Sequence, residues 1–239
     1  FIMTARKAFS CFGIGEILWD LLPSGRQLGG APANFAYHAH ALGIDSGAIS
    51  RIGNDTLGHE IQARFTAMNL PVSHLQVDDV APTGTVEVQL AADGQPRFVI
   101  HENVAWDRLA ASGAALDAVG QADAICFGTL AQRHELSRKA ILSLVAATPP
   151  QALRIFDINL RQHFYSREII EQSLTMANVL KLNHDELPVL AAMFNLSGST
   201  NAQMQELALR FELRLVALTR GAEGSLLFSE GHWSEQVGI

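Results

Sequence analysis

Short apolar runs alternate with helical patterns along most of this chain of 239 residues. The apolar runs predict buried strands at Ala8–Ile14, Ala48–Ile52, Ala124–Phe127, Arg154–Phe156, Val179–Leu182 and Leu213–Leu218. Helical patterns lie between them, at Ala33–Leu42, Thr56–Met68, Glu135–Ala147, Glu168–Asn178, Asp185–Phe194 and Asn201–Phe211. Because parallel strands need a long crossover connection, usually a helix, the alternation predicts an α/β fold with helices on both faces of a mainly parallel sheet.

The stretch Thr83–His101 interrupts this alternation and predicts a β-hairpin. Apolar and polar residues alternate along Val86–Leu90, as they do in a half-buried strand. Asp93-Gly94 then supplies residues suited to a tight turn. Together with Ile17–Leu22, the hairpin could build a small side sheet.

The composition is that of a folded globular chain. Apolar residues make up 48% of it, and a formal charge of −7 without a basic stripe argues against a nucleic-acid partner. No apolar run is long enough to span a bilayer, and Phe1–Lys7 lacks the apolar stretch of a signal peptide. Cys11 and Cys126 both lie inside apolar runs, so we expect buried, unpaired thiols and a cytoplasmic location.

The string Gly29-Gly30-Ala31-Pro32-Ala33-Asn34 opens the first predicted helix. Two glycines allow another molecule to approach the backbone closely, and proline is well tolerated in a first helical turn. The Asn34 side chain offers both a donor and an acceptor at the positive end of the helix. The string therefore suits a small ligand rich in hydroxyl groups, although an ordinary tight loop before a helix explains its spacing equally well.

Polar residues also follow several predicted strands, where an open parallel sheet holds its ligand. These segments are Gly15-Glu16, Asp157–Arg161, Asn183–Glu186 and Thr219–Gly224. Each has a simpler explanation, because Asp157 or Asn183 could cap a following helix and Glu186 could balance a helix dipole. Their recurrence at equivalent positions favours a shared ligand site.

Taken in order along the chain, these residues resemble the ribokinase-like (PfkB-type) carbohydrate kinases, and among them fructokinases and 2-keto-3-deoxygluconate kinases. The matching pieces are Gly15-Glu16 with Asp20, the Gly29–Asn34 string, Gly53-Asn54-Asp55 with Gly58, Asp157–Arg161, Asn183 with Glu186, and Thr219-Arg220-Gly221 with Gly224. The resemblance implies one three-layer α/β/α domain over residues 1–239, with a small β-sheet lid formed from about 16–28 and 83–103. It also implies transfer of the γ-phosphoryl group of ATP to a hydroxyl group of a small sugar.

The resemblance also assigns roles to individual residues. The implied sugar-binding residues are Asp20, Gly29, Gly30, Asn34, Asn159 and Arg161, with His101 and Asn103 contributed by the lid. The implied nucleotide-binding residues are Asn183, Glu186, Thr219, Gly221 and Gly224. Glu186 would hold Mg²⁺ through water, as magnesium prefers. Activation by K⁺ and a homodimer formed through the lid also occur in this family.

One family motif has no counterpart in this sequence. The family carries a Gly-Ala-Gly-Asp motif whose aspartate is the catalytic base, and the chain ends at Val237-Gly238-Ile239, just before that motif is due. We therefore assign no catalytic residue and expect the sequence to represent part of a longer kinase. A non-catalytic sugar-binding or scaffold protein that retains the kinase fold is the alternative.

One further interpretation is weaker. A nucleotide-binding oxidoreductase is suggested by Gly13-Ile14-Gly15, but Leu18 occupies the third glycine position of the dinucleotide fingerprint. Among acceptors for a kinase, fructose is the first choice, 2-keto-3-deoxygluconate the second and a nucleoside the third.

Overall fold

The computed structural model of the protein describes residues 8–90 and 96–238, and the predicted turn at Asp93-Gly94 lies outside them. The described strands are β1 (Ser10–Ile14), β2 (Leu18–Leu22), β3 (Gly25–Gly29), β4 (Asp45–Gly53), β5 (Leu75–Asp78), β6 (Gly84–Leu90), β7 (Pro96–Ile100), β8 (Ala124–Gly128), β9 (Leu153–Asp157), β10 (Val179–Asn183), β11 (Leu215–Thr219), β12 (Ser225–Ser229) and β13 (His232–Gln236). The described α-helices are α1 (Ala31–Ala41), α2 (Thr56–Ala67), α3 (Gly113–Val119), α4 (Glu135–Ala147), α5 (Arg167–Met176), α6 (Glu186–Phe194) and α7 (Thr200–Arg210).

The strands form two sheets. Within the described residues, the larger sheet has the order β13-β12-β11-β10-β9-β8-β1-β4-β5, parallel from β11 to β5, with β12 and β13 added antiparallel. The smaller sheet has the order β3-β2-β6-β7, in which β2 and β6 are parallel and the outer pairs antiparallel. The predicted fold class, a mainly parallel sheet with a small second sheet, is confirmed.

Side chains that alternate along β4 show the two helical layers. Ala48 and Ile52 join a buried cluster with Ala36 of α1 and Ile61 of α2. Ile49, between them, joins the separate cluster that includes residues of α3 to α7. Because successive side chains of a strand point to opposite faces of its sheet, the larger sheet lies between two layers of helices.

Most predicted helices end within one or two residues of the observed bounds. Side-chain caps set several starts: the hydroxyl of Ser166 accepts from the N–H of Ile169, and that of Ser199 accepts from the N–H of Ala202. The prediction for α5 extended two residues too far because Ala177 already has an extended backbone. The short helix α3 and the strands β5, β12 and β13 were not predicted; β13 is exposed along its length and so shows no apolar run.

A buried ion pair lies beside the end of β7 and connects it to the segment that follows β8. The guanidinium group of Arg133 pairs with the carboxylate of Asp107 over two contacts of 2.8 and 2.9 Å, and both side chains are at most 5% exposed. The same guanidinium lies over the rings of Trp106 and Phe164. It also donates to the carbonyl oxygen of His101, directly after β7.

The two cysteines are buried and unpaired, as predicted. Burial raises the pKa of the Cys11 thiol to about 11, and burial also raises the pKa of Cys126. Both line a mainly apolar groove of about 700 Å³ that runs along the larger sheet beside α1. Among the helices of the described residues, none is both long and apolar enough to cross a membrane.

We predict that Arg133→Leu destabilises the protein by about 3–5 kcal/mol, because it leaves the Asp107 carboxylate buried without a counter-charge. The matched control is Arg138→Leu, whose partner Glu168 is 79% exposed, and which should change the unfolding free energy by less than about 1 kcal/mol. Urea denaturation of both variants checks this. An equal loss of unfolding free energy in the two variants would contradict the role of Arg133 as the counter-charge of Asp107.

Candidate functional site

A cavity of about 770 Å³ lies between the smaller sheet and the carboxyl-terminal edge of the larger one. Its apolar wall comes mainly from the smaller sheet, through Leu18, Leu22, Leu28, Val86, Phe98 and Ile100, and from Leu130 and Leu160. Its polar residues are Glu16, Asp20, Gln27, Asn34, Asn159, Arg161 and Gln162, and backbone is presented by Gly29, Gly30 and Ala31. Six of the eight predicted substrate-binding residues therefore line one cavity.

Two backbone segments, Gly13–Glu16 and Gly30–Pro32, pack directly against each other at glycines. We call these two segments the cavity floor. A Cβ atom on Gly30, where φ is +110°, would overlap the carbonyl oxygen of Glu16. A Cβ atom on Gly13 would overlap the carbonyl oxygen of Pro32. The segment after β1 and the start of α1 thus pack against each other at two places where no side chain fits.

The carboxyl group of Glu16 sits beneath the start of α1. Its Oε1 accepts from the N–H of Ala31 at 3.3 Å, and its Oε2, also buried, has no hydrogen-bond partner among the described residues. The side chain is 2% exposed, and burial raises its pKa to about 7. Sequence reasoning quoted Glu16 in a motif but gave it no role. Its position just past the first predicted strand, where an open parallel sheet holds its ligand, is the sequence signal that could have found it.

Asp20 and Arg161 place opposite charges on two sides of the cavity. Burial raises the pKa of Asp20, while the charge of Arg161 lowers it. Gly29 makes room for the Asp20 carboxylate, because a Cβ atom there would overlap its Oδ2. The cavity therefore offers an anionic acceptor and a cationic donor to one bound molecule.

The loop after β9 lines the cavity and is hydrogen-bonded both to Thr129, which follows β8, and to the smaller sheet. Asn159 and Gln162 have positive φ angles of 37° and 48°, so the loop turns sharply. The hydroxyl of Thr129 donates to the carbonyl oxygen of Ile158 at 2.7 Å. The Gln162 amide donates to the carbonyl oxygen of Phe98 in the smaller sheet at 2.6 Å. Gln162 and Gln27 were not predicted, because neither belongs to a recognised motif.

Asn183 and Glu186 form a capping box at the start of α6. The Asn183 Oδ1 accepts from the N–H of Glu186 at 2.9 Å, and the Glu186 Oε2 accepts from the N–H of Asn183 at 2.8 Å. The Glu186 Oε1 accepts from the N–H of Leu160 at 2.9 Å. The capping interpretation of Asn183 is therefore confirmed, and the same carboxylate ties α6 to the cavity loop. No helix begins at Asp157, which pairs instead with Lys181.

The predicted nucleotide residues meet at the next strand end. Thr219 is the register partner of Asn183 across β10 and β11. Gly221, with φ of +57°, is exposed, and a Cβ atom there would meet open space. Gly224 is different, because a Cβ atom there would overlap the carbonyl oxygen of Gln236 in β13. The turn residues Arg220 and Glu223 line a smaller cavity of about 460 Å³ with the starts of α6 and α7.

Two predicted substrate residues do not line the main cavity. The His101 Nε2 lies 3.2 Å from the carboxylate of Glu87, and Asn103 is exposed with a positive φ of 59°. Both follow β7, so they lie on the connection from the smaller sheet. Within the part of the chain described here, no group of three or more acidic, histidine or cysteine side chains is arranged to hold a metal ion.

The chain is similar in sequence to known carbohydrate kinases. A family model described as pfkB family carbohydrate kinase matches residues 25–237. A fructokinase from Salmonella typhimurium is 31% identical over 225 residues, which are 89% of this chain and 71% of that protein. An uncharacterised sugar kinase from Pyrococcus horikoshii is 27% identical over 191 residues, which are 73% of this chain and 61% of that protein. The chain thus spans less than two thirds of the Pyrococcus protein's length.

Solved structures share the fold. The Pyrococcus kinase in complex with ATP superposes with a TM-score of 0.80 at 25% identity, covering 97% of this chain and 77% of that one. A fructokinase double mutant from Vibrio cholerae with fructose, ADP and potassium ion superposes with a TM-score of 0.80 at 24% identity. That superposition covers 98% of this chain and 77% of the Vibrio chain.

We predict that Gly30→Ala destabilises the protein more than Gly25→Ala does. Both residues have positive φ angles outside the regions that alanine favours, so each alanine adds about 1–3 kcal/mol of backbone strain. Only Gly30 would also collide with a neighbouring carbonyl oxygen, because a Cβ atom on Gly25 meets nothing within 4 Å. Thermal unfolding of the two variants tests the difference. A loss at Gly25 as large as that at Gly30 would contradict the close backbone contact.

Proposed function

The chain belongs to the pfkB family of carbohydrate kinases, and we propose that it carries the sugar- and nucleotide-binding parts of an ATP-dependent kinase for a small sugar, first of all fructose. The observation that supports this most is the single cavity that gathers Asp20, Gly30, Asn34 and Arg161. The predicted nucleotide turn at Gly221 lies on the same edge of the sheet. Family membership confirms the resemblance drawn from the Gly-Gly-Ala-Pro-Ala-Asn string.

The lining of the cavity suits a polyol. Asp20 accepts hydrogen bonds, Arg161 donates them, and the Asn34 amide does both. The apolar wall from the smaller sheet can pack against the carbon skeleton of a sugar. The guanidinium group of Arg161 would also suit a carboxylate, so 2-keto-3-deoxygluconate is the second choice of substrate. A nucleoside is the third.

The nucleotide would lie along the ends of β10 and β11. Gly221 leaves open space for a phosphate to approach, with Thr219 and Gly224 shaping the turn around it. Magnesium, when bound, would neutralise charge on the phosphates. Glu186 fits a hydrated ion, because each oxygen of its buried carboxylate already accepts one main-chain N–H group and Mg²⁺ usually keeps several of its water ligands. We therefore propose Asn183 and Glu186 as the residues that position the ion through water.

Transfer of the γ-phosphoryl group to the sugar would depend on the positioning of the two substrates and on the exclusion of water from the cavity. The smaller sheet covers the cavity, and Gln162 links the loop after β9 to Phe98 on that sheet. We propose that this sheet acts as the lid, which would keep water from competing as phosphoryl acceptor. No residue of this chain is assigned as the base. Potassium activation, a dimer through the lid and a cytoplasmic location stay predictions.

The test is phosphorylation of a panel by the full-length gene product with ATP and magnesium. The panel contains D-fructose, 2-keto-3-deoxygluconate and a nucleoside, and product formation is followed by release of ADP. We expect D-fructose to give the highest kcat/KM. Activity on no sugar of the panel would contradict the proposal and favour the non-catalytic alternative.

We predict that Asp20→Asn raises the KM for the sugar about tenfold or more while leaving the KM for ATP unchanged. A hydrogen bond to a charged group contributes about 1.5–3 kcal/mol, and about 1.4 kcal/mol corresponds to a factor of ten. Asp117→Asn, on the exposed face of α3, is the matched control and should leave both constants unchanged. Steady-state kinetics that show equal effects on the two substrates would remove Asp20 from the sugar site.

A further inference from the structure

Glu16 is the one buried carboxylic acid in the cavity lining whose function the proposed mechanism leaves open. It is 2% exposed, and its backbone carbonyl occupies the space that a side chain on Gly30 would need. Its Oε1 accepts from the N–H of Ala31, the first residue of α1. Both contacts reach the segment that presents Gly30 and Asn34 to the cavity.

The hydrogen bonding of this carboxyl group is incomplete among the described residues. The buried Oε2 lacks a partner among the described residues, so an ionised Glu16 is held by the main-chain N–H groups of Ala31 and of Glu16 itself and by the positive end of α1. Loss of the charge would weaken the contact between Oε1 and Ala31, because a charged acceptor binds an N–H more strongly than a neutral one.

We propose, on the basis of the proposed sugar-kinase function, that Glu16 is a positioning residue whose ionised carboxylate fixes the Gly30–Ala31 backbone in the form that binds the sugar. Glu16 does not itself contact the substrate in this account, because its side chain is 2% exposed and its Oε2 is buried. It acts through the backbone at the start of α1. Neutral Glu16 leaves that backbone less well fixed, and the sugar binds more weakly.

The charges around Glu16 place its titration within the physiological range. Burial is the main reason that its pKa is raised to about 7; the charge of Asp157 acts in the same direction, while the N–H groups of Glu16 itself and of Ala31 and the charge of Arg161 act to lower it. The other ionisable groups near the cavity floor are Cys126 on β8 and Asp20 on β2. A ligand that binds better to the ionised form must become tighter as the pH rises through the pKa of the free protein.

The test is the affinity for D-fructose, measured without ATP by calorimetry at pH 6, 7 and 8. With a pKa of about 7, the ionised fraction rises from about one tenth to nine tenths, so the dissociation constant of the wild type should fall about tenfold. Glu16→Gln keeps an amide oxygen to accept from Ala31 but cannot ionise. Its dissociation constant should not change with pH and should be at least as high as the wild-type value at pH 6.

Glu168→Gln, at an exposed position of α5, is the matched control and should retain the wild-type pH profile. The inference is overturned if the wild type shows no pH dependence, or if Glu16→Gln shows the same dependence as the wild type. Should Glu16→Gln fail to fold, carbon NMR of the wild-type carboxyl groups replaces it, and the pKa of Glu16 must fall when D-fructose binds. Wild-type protein that binds no sugar of the panel would contradict the proposed function itself, and this inference falls with it.

Discussion

The contact between the end of β1 and the start of α1 is the constraint on which the rest of the site depends. Two backbone segments approach each other so closely that Gly13 and Gly30 have no room for a Cβ atom. This contact fixes the position of the start of α1 relative to β1, and Asn34 lies one turn into that helix. Since packed backbone has few alternative arrangements, a small displacement here would move every group on the floor together.

The parallel sheet brings the remaining groups to the same edge. Asn183 and Thr219 are side by side because β10 and β11 run in register, and Leu160 in the loop after β9 is hydrogen-bonded to Glu186. Glu186 joins these parts, accepting from Leu160 in that loop and from Asn183 in its own. The proposed sugar and nucleotide sites are therefore connected through one buried carboxylate.

Capping and ligand positioning are not competing explanations at Asn183 and Glu186. The Asn183 side chain accepts from the N–H groups of Asp185 and Glu186 at the start of α6, and the Glu186 carboxylate accepts in return from the N–H of Asn183, which holds that carboxylate in a fixed orientation at the edge of the sheet. A helix start that is built in this way provides a rigid place next to an exposed glycine turn.

The sequence by itself determined the α/β class, the second sheet and the segments that meet at the ligand edge, because periodicity and strand–helix alternation are local properties that tertiary contacts rarely reverse. It also pointed to Asn34, which follows a glycine pair, and to Arg161, which follows a strand end, while Asp20 came from the family resemblance; all three line one cavity. Only the tertiary structure decided that His101 pairs with Glu87 outside the cavity and that Gln162 reaches the smaller sheet. It alone gave Glu16 its buried place under α1, because burial and the proximity of distant segments depend on how the layers pack, which no local pattern encodes.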